Sequence, residues 1–378
     1  MQGLNKTIYM DNAATTALLP EVLDAMMPYL TTKYGNASSI SSFGYEAKMG
    51  INRARKQVAE LLQCESEFIY FTSGATESNN WVFQQPSFTS YLISNIEHDS
   101  IENICHYYDK FTNKTVCEIC VDEHGIINLK TFNEYLEYYY PDLVSIIYAN
   151  NEIGVIQDIE SMAKICKANG IKFHTDATQA LGHIPISLKH SSINYLSASA
   201  HKIGGPKGVG LLYCNSSIDP LLYGGHQEQG LRAGTYNVAG IVGYGKACEI
   251  ARLKLLKNKD EELSNKTRYF MSKIKENIEG VQINTPIYSV PNNANISFLG
   301  IDGETLMMLL NDSGIICSTG SACNSGTKEA SRILEAINVA PEYIHGTLRF
   351  SLGYDISIKD IDYVVSQIKF YVDYLRTH

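Results

Sequence analysis

The chain has 378 residues, 44% of them hydrophobic and 19% charged, which fits a soluble globular protein too long for one simple core. Its formal charge of −9 argues against nucleic acid as the main partner, because phosphate binding calls for a basic face. It leaves room for a small anion held by local donors.

The opening segment, Met1 to Lys6, has no charged-then-apolar signal pattern, and no apolar run approaches membrane-spanning length. A cytoplasmic protein without membrane attachment is expected. Nine cysteines, an odd number scattered along the chain, read as reduced thiols rather than a disulfide framework.

From about residue 65 to 215, short apolar runs alternate with helical patterns, the signature of a mostly parallel sheet flanked by helices. The expected strands are Phe68 to Phe71, Tyr91 to Ser94, Leu143 to Tyr148, Ile171 to His174, Tyr195 to Ser197 and Gly208 to Tyr213. Helices are expected over Ala75 to Phe83 and Asp158 to Ala168. Cys117 and Cys120, near Cys105 and His106, offer metal-ligand types, but Val116 to Val121 reads more simply as a strand and the spacing matches no common zinc motif. The tyrosine-rich run Tyr135 to Tyr140, stopped by Pro141, reads as a helix end.

A long charged helical stretch, roughly Val238 to Glu279, is expected to lead out of this region. Ala294 to Phe298 and Leu348 to Ser351 then read as strands of a smaller sheet, covered by helices over Gly303 to Leu310 and Ser357 to Leu375. The expected architecture is therefore α/β, with a large domain over residues 16–255. A smaller α+β domain combines residues 1–15 with 256–378.

Several polar groups fall at the carboxyl ends of strands, where ligands gather in open α/β sheets. Thr72-Ser73-Gly74-Ala75-Thr76 carries a strand into a helix; it is either an ordinary cap or a phosphate seat of backbone N–H groups helped by Thr76. Asp176 follows the next such strand, with Gln179 three residues on. It is either a cap or the anion that keeps a heterocyclic nitrogen protonated. Lys202, in Ser199-Ala200-His201-Lys202 before a glycine-rich turn, is a surface amine or, if desolvated, a Schiff-base lysine. Together the three describe a site for pyridoxal 5'-phosphate. No strand is followed by Gly-x-Gly-x-x-Gly, so dinucleotide binding is disfavoured.

Downstream, Ser318-Thr319-Gly320-Ser321-Ala322-Cys323-Asn324-Ser325-Gly326 surrounds one thiol with small polar residues that cannot build a core. Such a segment is expected to be an exposed, mobile loop carrying a reactive cysteine. Cys317, closing the apolar run Gly314-Ile315-Ile316, is expected to be buried and structural.

With these residues in view, the chain resembles the cysteine desulfurases of the NifS/IscS type, in class V of the fold-type I pyridoxal-phosphate enzymes. The landmarks are Tyr9 to Thr16, Phe71 to Asn80, Glu97-His98, Asn150 to Gly154, His174 to Gln179, Ser199 to Gly208, Gln227 to Thr235, Ser318 to Cys323 and Arg349 to Gly353. The resemblance implies a seven-stranded, mostly parallel sheet in the large domain. It implies that Lys202 carries the cofactor as a Schiff base, that Asp176 pairs with its ring nitrogen and that His98 stacks on the ring. Asn151 and Gln179 would reach the ring hydroxyl and the substrate side, while Ala75, Thr76, Ser199 and His201 would hold the phosphate. Thr235 would complete the phosphate site of a neighbouring subunit in a homodimer, and Arg349 would clamp the substrate carboxylate. L-Cysteine would lose its sulfur to Cys323, giving alanine and a persulfide for an unidentified acceptor protein in iron–sulfur assembly or thiolation.

One stretch departs from the family pattern: Asn36-Ala37-Ser38-Ser39-Ile40-Ser41 lacks the usual proline and histidine. A selenocysteine lyase, for which Cys323 would be dispensable, and a non-catalytic scaffold retaining the fold are the alternatives.

Overall fold

The computed structural model describes residues 7–319 and 330–377. Its twelve strands, in chain order, are β1 (Ile8–Tyr9), β2 (Ile69–Thr72), β3 (Ser90–Ser94), β4 (Thr115–Ile119), β5 (Leu143–Ser145), β6 (Lys172–Asp176), β7 (Tyr195–Ser199), β8 (Gly210–Cys214), β9 (Val281–Ile283), β10 (Asn293–Phe298), β11 (Ile315–Ile316) and β12 (Thr347–Ser351).

Seven of them form one sheet in the order β2-β8-β7-β6-β5-β3-β4. Strands β3 to β7 run parallel to their neighbours within that run, and β8 is antiparallel to both β2 and β7. The central strands are buried end to end, which is why they read as apolar runs rather than alternating ones. Helices Ala75–Phe83 and Ile159–Ala168 pack on the sheet, the first against β7 and β8, the second against β6. The helix Leu129–Tyr139 ends at Tyr140, whose φ of 46° takes the chain out of the helix.

A second core is built on the antiparallel sheet β12-β10-β9. Phe270, Phe298, Phe350, Ile361 and Ile368 fill it, with the Phe270 and Phe350 rings edge-on at 5.1 Å. The N-terminal segment joins this core: Ile8 and Met10 pack here, and β1 pairs with β11. Ile333, Leu334, Ile337 and Val339 instead join the larger core.

Three expectations need correction. The stretch from Val238 to Glu279 is two helices, Val238–Leu256 and Lys259–Asn277, broken where Asn258 adopts φ 52°, a left-handed conformation asparagine tolerates. Asp176 is the last residue of β6 rather than the one after it. The ladder at β5 ends at Ser145, although Ile146 and Tyr148 still donate to the carbonyls of His174 and Asp176. Two long helices, Pro20–Thr31 and Ser42–Leu62, were not anticipated. Among the described residues no helix is long and apolar enough to cross a membrane, and no cluster of side chains suits a metal ion.

Candidate active site

The carboxyl ends of β2, β6 and β7 open onto one cavity of about 280 Å³. At the first end, β2 turns through Ser73-Gly74 into the helix Ala75–Phe83. The turn lies hard against β8: a Cβ on Gly210 would come within 2.5 Å of Gly74 Cα, so the close approach requires glycine there. Ala75 N–H donates to Ser199 Oγ at 2.8 Å, and Glu77 bends back to accept from Ser73 N at 3.0 Å. Glu77 is itself gripped by the Arg232 fork at 2.8 and 3.0 Å, which holds its carboxyl below the usual range despite partial burial.

At the second end, Asp176 is buried. Its Oδ1 accepts from Thr178 N at 2.9 Å and its Oδ2 from Asn79 Nδ2 at 2.8 Å. His98 caps the helix Asp99–Phe111, its Nδ1 accepting from Ser100 N at 3.1 Å. Beside it, Glu97 is 2% exposed; its Oε1 accepts from Ser94 Oγ at 2.5 Å and Ile147 N at 2.7 Å, while Oε2 has no partner among the described residues. Burial, with Asp176 adding repulsion, pushes the Glu97 carboxyl up to about 8 against those two donors. Burial likewise holds His174, between Ser145 and Ser197, down at about 4.

At the third end, Lys202 closes the short turn Ala200–Lys202. Its Nζ donates to the carbonyls of Ala13 at 2.6 Å and Ala14 at 2.8 Å. The same N-terminal segment accepts from Gln179 Nε2 at Ala13 O, 2.9 Å, and Thr16 Oγ1 donates to His201 O at 2.8 Å. Burial, with Lys202 and Lys207 close by, lowers His201 to about 4, so its imidazole is neutral at neutral pH.

The remaining wall comes from the second core. Arg349, on β12 and 2% exposed, donates from Nη1 to Asn151 O at 3.0 Å and from Nη2 to Asp11 Oδ1 at 2.7 Å. Its Nε is buried with no partner among the described residues. The backbone of Arg349 exchanges hydrogen bonds with Ser318, at 2.6 and 3.1 Å, so the chain sets out toward Cys323 from beside the cavity. It returns there too: Ser331 Oγ donates to Glu152 Oε2 at 2.6 Å, next to Asn151. Arg332 donates to the carbonyls of Asn95 and Glu97 at 2.7 and 2.8 Å.

Of the expected site residues, Ala75, Thr76, His98, Asn151, Asp176, Gln179, Ser199, His201, Lys202 and Arg349 all line this one cavity. Thr235 does not; it is exposed in the segment that follows Arg232. Cys323, with the expectation about its loop, lies outside the described residues. Cys317 is buried, and burial pushes its thiol up to about 12, which makes it a poor nucleophile at neutral pH. The departure at residues 36–41 leaves the cavity lining untouched. Ser41 caps the helix Ser42–Leu62 by accepting from Gly44 N at 3.2 Å.

Sequence reasoning passed over Asp11, Asn79, Ser100 and Thr178. Asp11, Asn79 and Thr178 stand inside landmark stretches, so their motifs were visible but their partners were not. Ser100 carried no signal.

The profile of the family described as aminotransferase class-V matches residues 8–364. A cysteine desulfurase IscS of Methanosarcina thermophila is 43% identical, over 98% of this chain and 93% of that protein. Among solved structures, a NifS-like protein superposes with a TM-score of 0.90 at 34% identity, covering 98% of this chain and 100% of the other. SspA in complex with cysteine gives 0.80 at 30% identity, covering 92% and 99%. With a profile spanning nearly its whole length and relatives this similar end to end, the chain belongs to the class-V aminotransferases, in their cysteine desulfurase branch.

Proposed function

We propose that this protein is a pyridoxal-phosphate-dependent cysteine desulfurase that moves sulfur from L-cysteine onto Cys323 and from there to an acceptor protein. The observation that carries this reading is the placement of Ser318 and Ser331: both described ends of the segment holding Cys323 are bonded beside cavity residues, one at Arg349 and one next to Asn151. Five residue-to-residue steps lead from Ser318 to Cys323, a reach of at most roughly 18 Å at about 3.6 Å per residue.

The residues present fit the cofactor. An amine, a buried carboxylate and a helix start supplying N–H groups converge on one cavity, and Thr178 Oγ1 stands buried at its wall with no partner among the described residues. Lys202 would hold the group through Nζ, Asp176 would face its ring nitrogen, and His98 its ring. Asn151 and Gln179 would meet its hydroxyl side, and Ala75 N, Thr76, Ser199 and His201 its phosphate. When bound, pyridoxal phosphate supplies an electron sink for the pair left when a Cα–H bond breaks.

Arg349 receives the substrate carboxylate with the N–H that Nε leaves unused, which orients the Cα–H bond. Lys202 Nζ, released as a free amine once the substrate amine has taken its place, takes the Cα proton as general base and returns a proton to carbon later. Cys323 attacks as thiolate: its S–S bond to the substrate sulfur forms as the Cβ–S bond breaks. The electron pair stays with the carbon fragment, which takes up a proton and leaves as alanine.

Thr235, exposed on its own chain, serves the phosphate site of a second copy in a homodimer. Thiolate chemistry of this kind suits the reducing cytoplasm, and the acceptor is a protein of iron–sulfur assembly or thiolation.

The test uses the holoenzyme and L-cysteine. Equimolar alanine, one extra sulfur on the Cys323 peptide by mass spectrometry, and a borohydride-reduced adduct on Lys202 are expected. Lys202→Ala should lower turnover by about 10²–10⁴-fold or more. Cysteine turnover that survives Cys323→Ala would overturn the assignment, and retained selenocysteine cleavage in that variant would favour a lyase instead.

A further inference from the structure

Four side chains form one hydrogen-bonded file along the cavity wall. Asp176 Oδ2 accepts from Asn79 Nδ2 at 2.8 Å; the same amide nitrogen donates to Ser100 Oγ at 2.9 Å; and Ser100 Oγ lies 2.9 Å from His98 Nδ1. The direction of each bond follows from its chemistry. A carboxylate only accepts, so Asn79 must turn its NH₂ toward Asp176. That orientation leaves Asn79 Oδ1 buried with no partner among the described residues, on a side chain that is 0% exposed. The reverse orientation would set two acceptors face to face.

With the second Asn79 N–H directed at Ser100 Oγ, the serine hydroxyl gives its own hydrogen to His98 Nδ1. The backbone N–H of Ser100 also donates to Nδ1, at 3.1 Å, and an amide nitrogen has no other way to engage it. Two donors therefore meet at Nδ1, and the ring proton of the neutral imidazole resides on Nε2. The other tautomer would point an Nδ1 hydrogen at the amide hydrogen of Ser100.

We infer that Asn79 and Ser100 are positioning residues that relay the orientation imposed by Asp176 to His98. They hold its imidazole in the Nε2–H form, so that His98 offers bound substrate a hydrogen-bond donor and leaves proton abstraction to Lys202. The tautomer stands on geometry alone; its consequence for substrate rests on the desulfurase reading above.

Nitrogen NMR of ¹⁵N-histidine-labelled protein at pH 8, without cofactor, tests the relay directly, with the His98 signals identified by their loss in His98→Gln. The wild type and Ser100→Thr, which keeps a hydroxyl, should show the Nε2–H form alone. Ser100→Ala and Asn79→Leu keep the backbone donor of residue 100 but lose the second one, so their shifts should move part of the way toward the average of the two tautomers. An Nδ1–H form in the wild type overturns the inference, and so does a single unshifted tautomer in Ser100→Ala, the milder of the two variants. In the holoenzyme, Ser100→Ala should lower kcat roughly tenfold with the KM for L-cysteine within about twofold, and Ser100→Thr should restore it. A rise in KM without loss of kcat would contradict the donor role. If the spectra behave as expected while cysteine is not turned over at all, the functional reading fails and the relay stands.

Discussion

Asp176 and Arg349 line the same cavity but are put there by different means. Asp176 ends a central strand of the seven-stranded sheet, and its carboxylate partners, Thr178 N and Asn79, come from the sheet's own connections. Arg349 belongs to the antiparallel sheet of the second core, and its guanidinium is steadied by Asp11 and by the Asn151 carbonyl, 338 and 198 residues away in sequence. The first wall is built once the large sheet folds. The second exists only when the N-terminal segment and β12 have both docked beside it. On the proposed reading, cofactor-binding chemistry and substrate recognition therefore fall on walls from two different sheets, joined by the strap from Asp11 to Thr16 that also receives Lys202 Nζ.

The sharpest way to break that division is Arg349→Lys. A lysine keeps the charge but cannot present a planar fork. The KM for L-cysteine should rise on the order of 10–100-fold, about 1.4–2.7 kcal/mol of lost carboxylate binding. The borohydride adduct on Lys202 should form as in the wild type, because the Asp176 wall is untouched. Steady-state kinetics beside adduct yield check both halves, and parallel loss of the two would show that the walls are not independent.

The contrast also explains what could be read in advance. Strand-end residues were legible because an apolar run that breaks off into polar residues is a local pattern, and Asp176 and Ser199 each end such a strand, with Lys202 three residues beyond Ser199. Arg349 entered only through the family resemblance, since nothing local in Leu348-Arg349-Phe350 shows that Asp11 will neutralise it. The helices Pro20–Thr31 and Ser42–Leu62 escaped for a different reason. The second carries Gly44, Ala47, Gly50 and Ala54 on its buried side, where a Cβ on Gly50 would come within 2.8 Å of the Tyr29 ring. Close packing through small residues removes the large apolar stripe by which helices are recognised. Asn258 breaks the Val238–Asn277 stretch by a backbone conformation that charge patterning does not reveal.

A smaller effect should come from Asp11→Asn, which removes the charge facing Nη2 but keeps an oxygen acceptor. Asp11 is only partly buried, so the loss is about 1–2 kcal/mol of stability rather than the larger figure for a fully buried pair. Chemical denaturation should register it, with the Lys202 adduct preserved. A loss of adduct would mean that Asp11 supports the lysine side of the strap as well as the arginine.

The subtlest test lies wholly within the sheet-built wall. Glu97 ends the β3 connection beside Ile147, which lines the cavity, and burial raises its carboxyl from an ordinary 4.5 to about 8. Between those values the folded chain keeps a proton that the unfolded chain releases. The unfolded state therefore binds fewer protons, and stability falls as pH rises through that window, by at most roughly 1.4 kcal/mol per pH unit. Glu97→Gln mimics the protonated side chain and cannot ionise. Its carbonyl can accept from Ser94 Oγ and Ile147 N as Oε1 does, and its NH₂ takes the place of the unpartnered Oε2. His174 works at the other end of the scale: held neutral down to about 4, it loses stability as pH falls from 6.5. Because His174 is common to both proteins, the difference between wild type and Glu97→Gln isolates the carboxyl. Denaturation midpoints should nearly coincide at pH 5 and diverge by pH 8 in favour of the glutamine. Parallel curves would mean that Glu97 ionises in the folded state as readily as in water, and that this wall admits solvent.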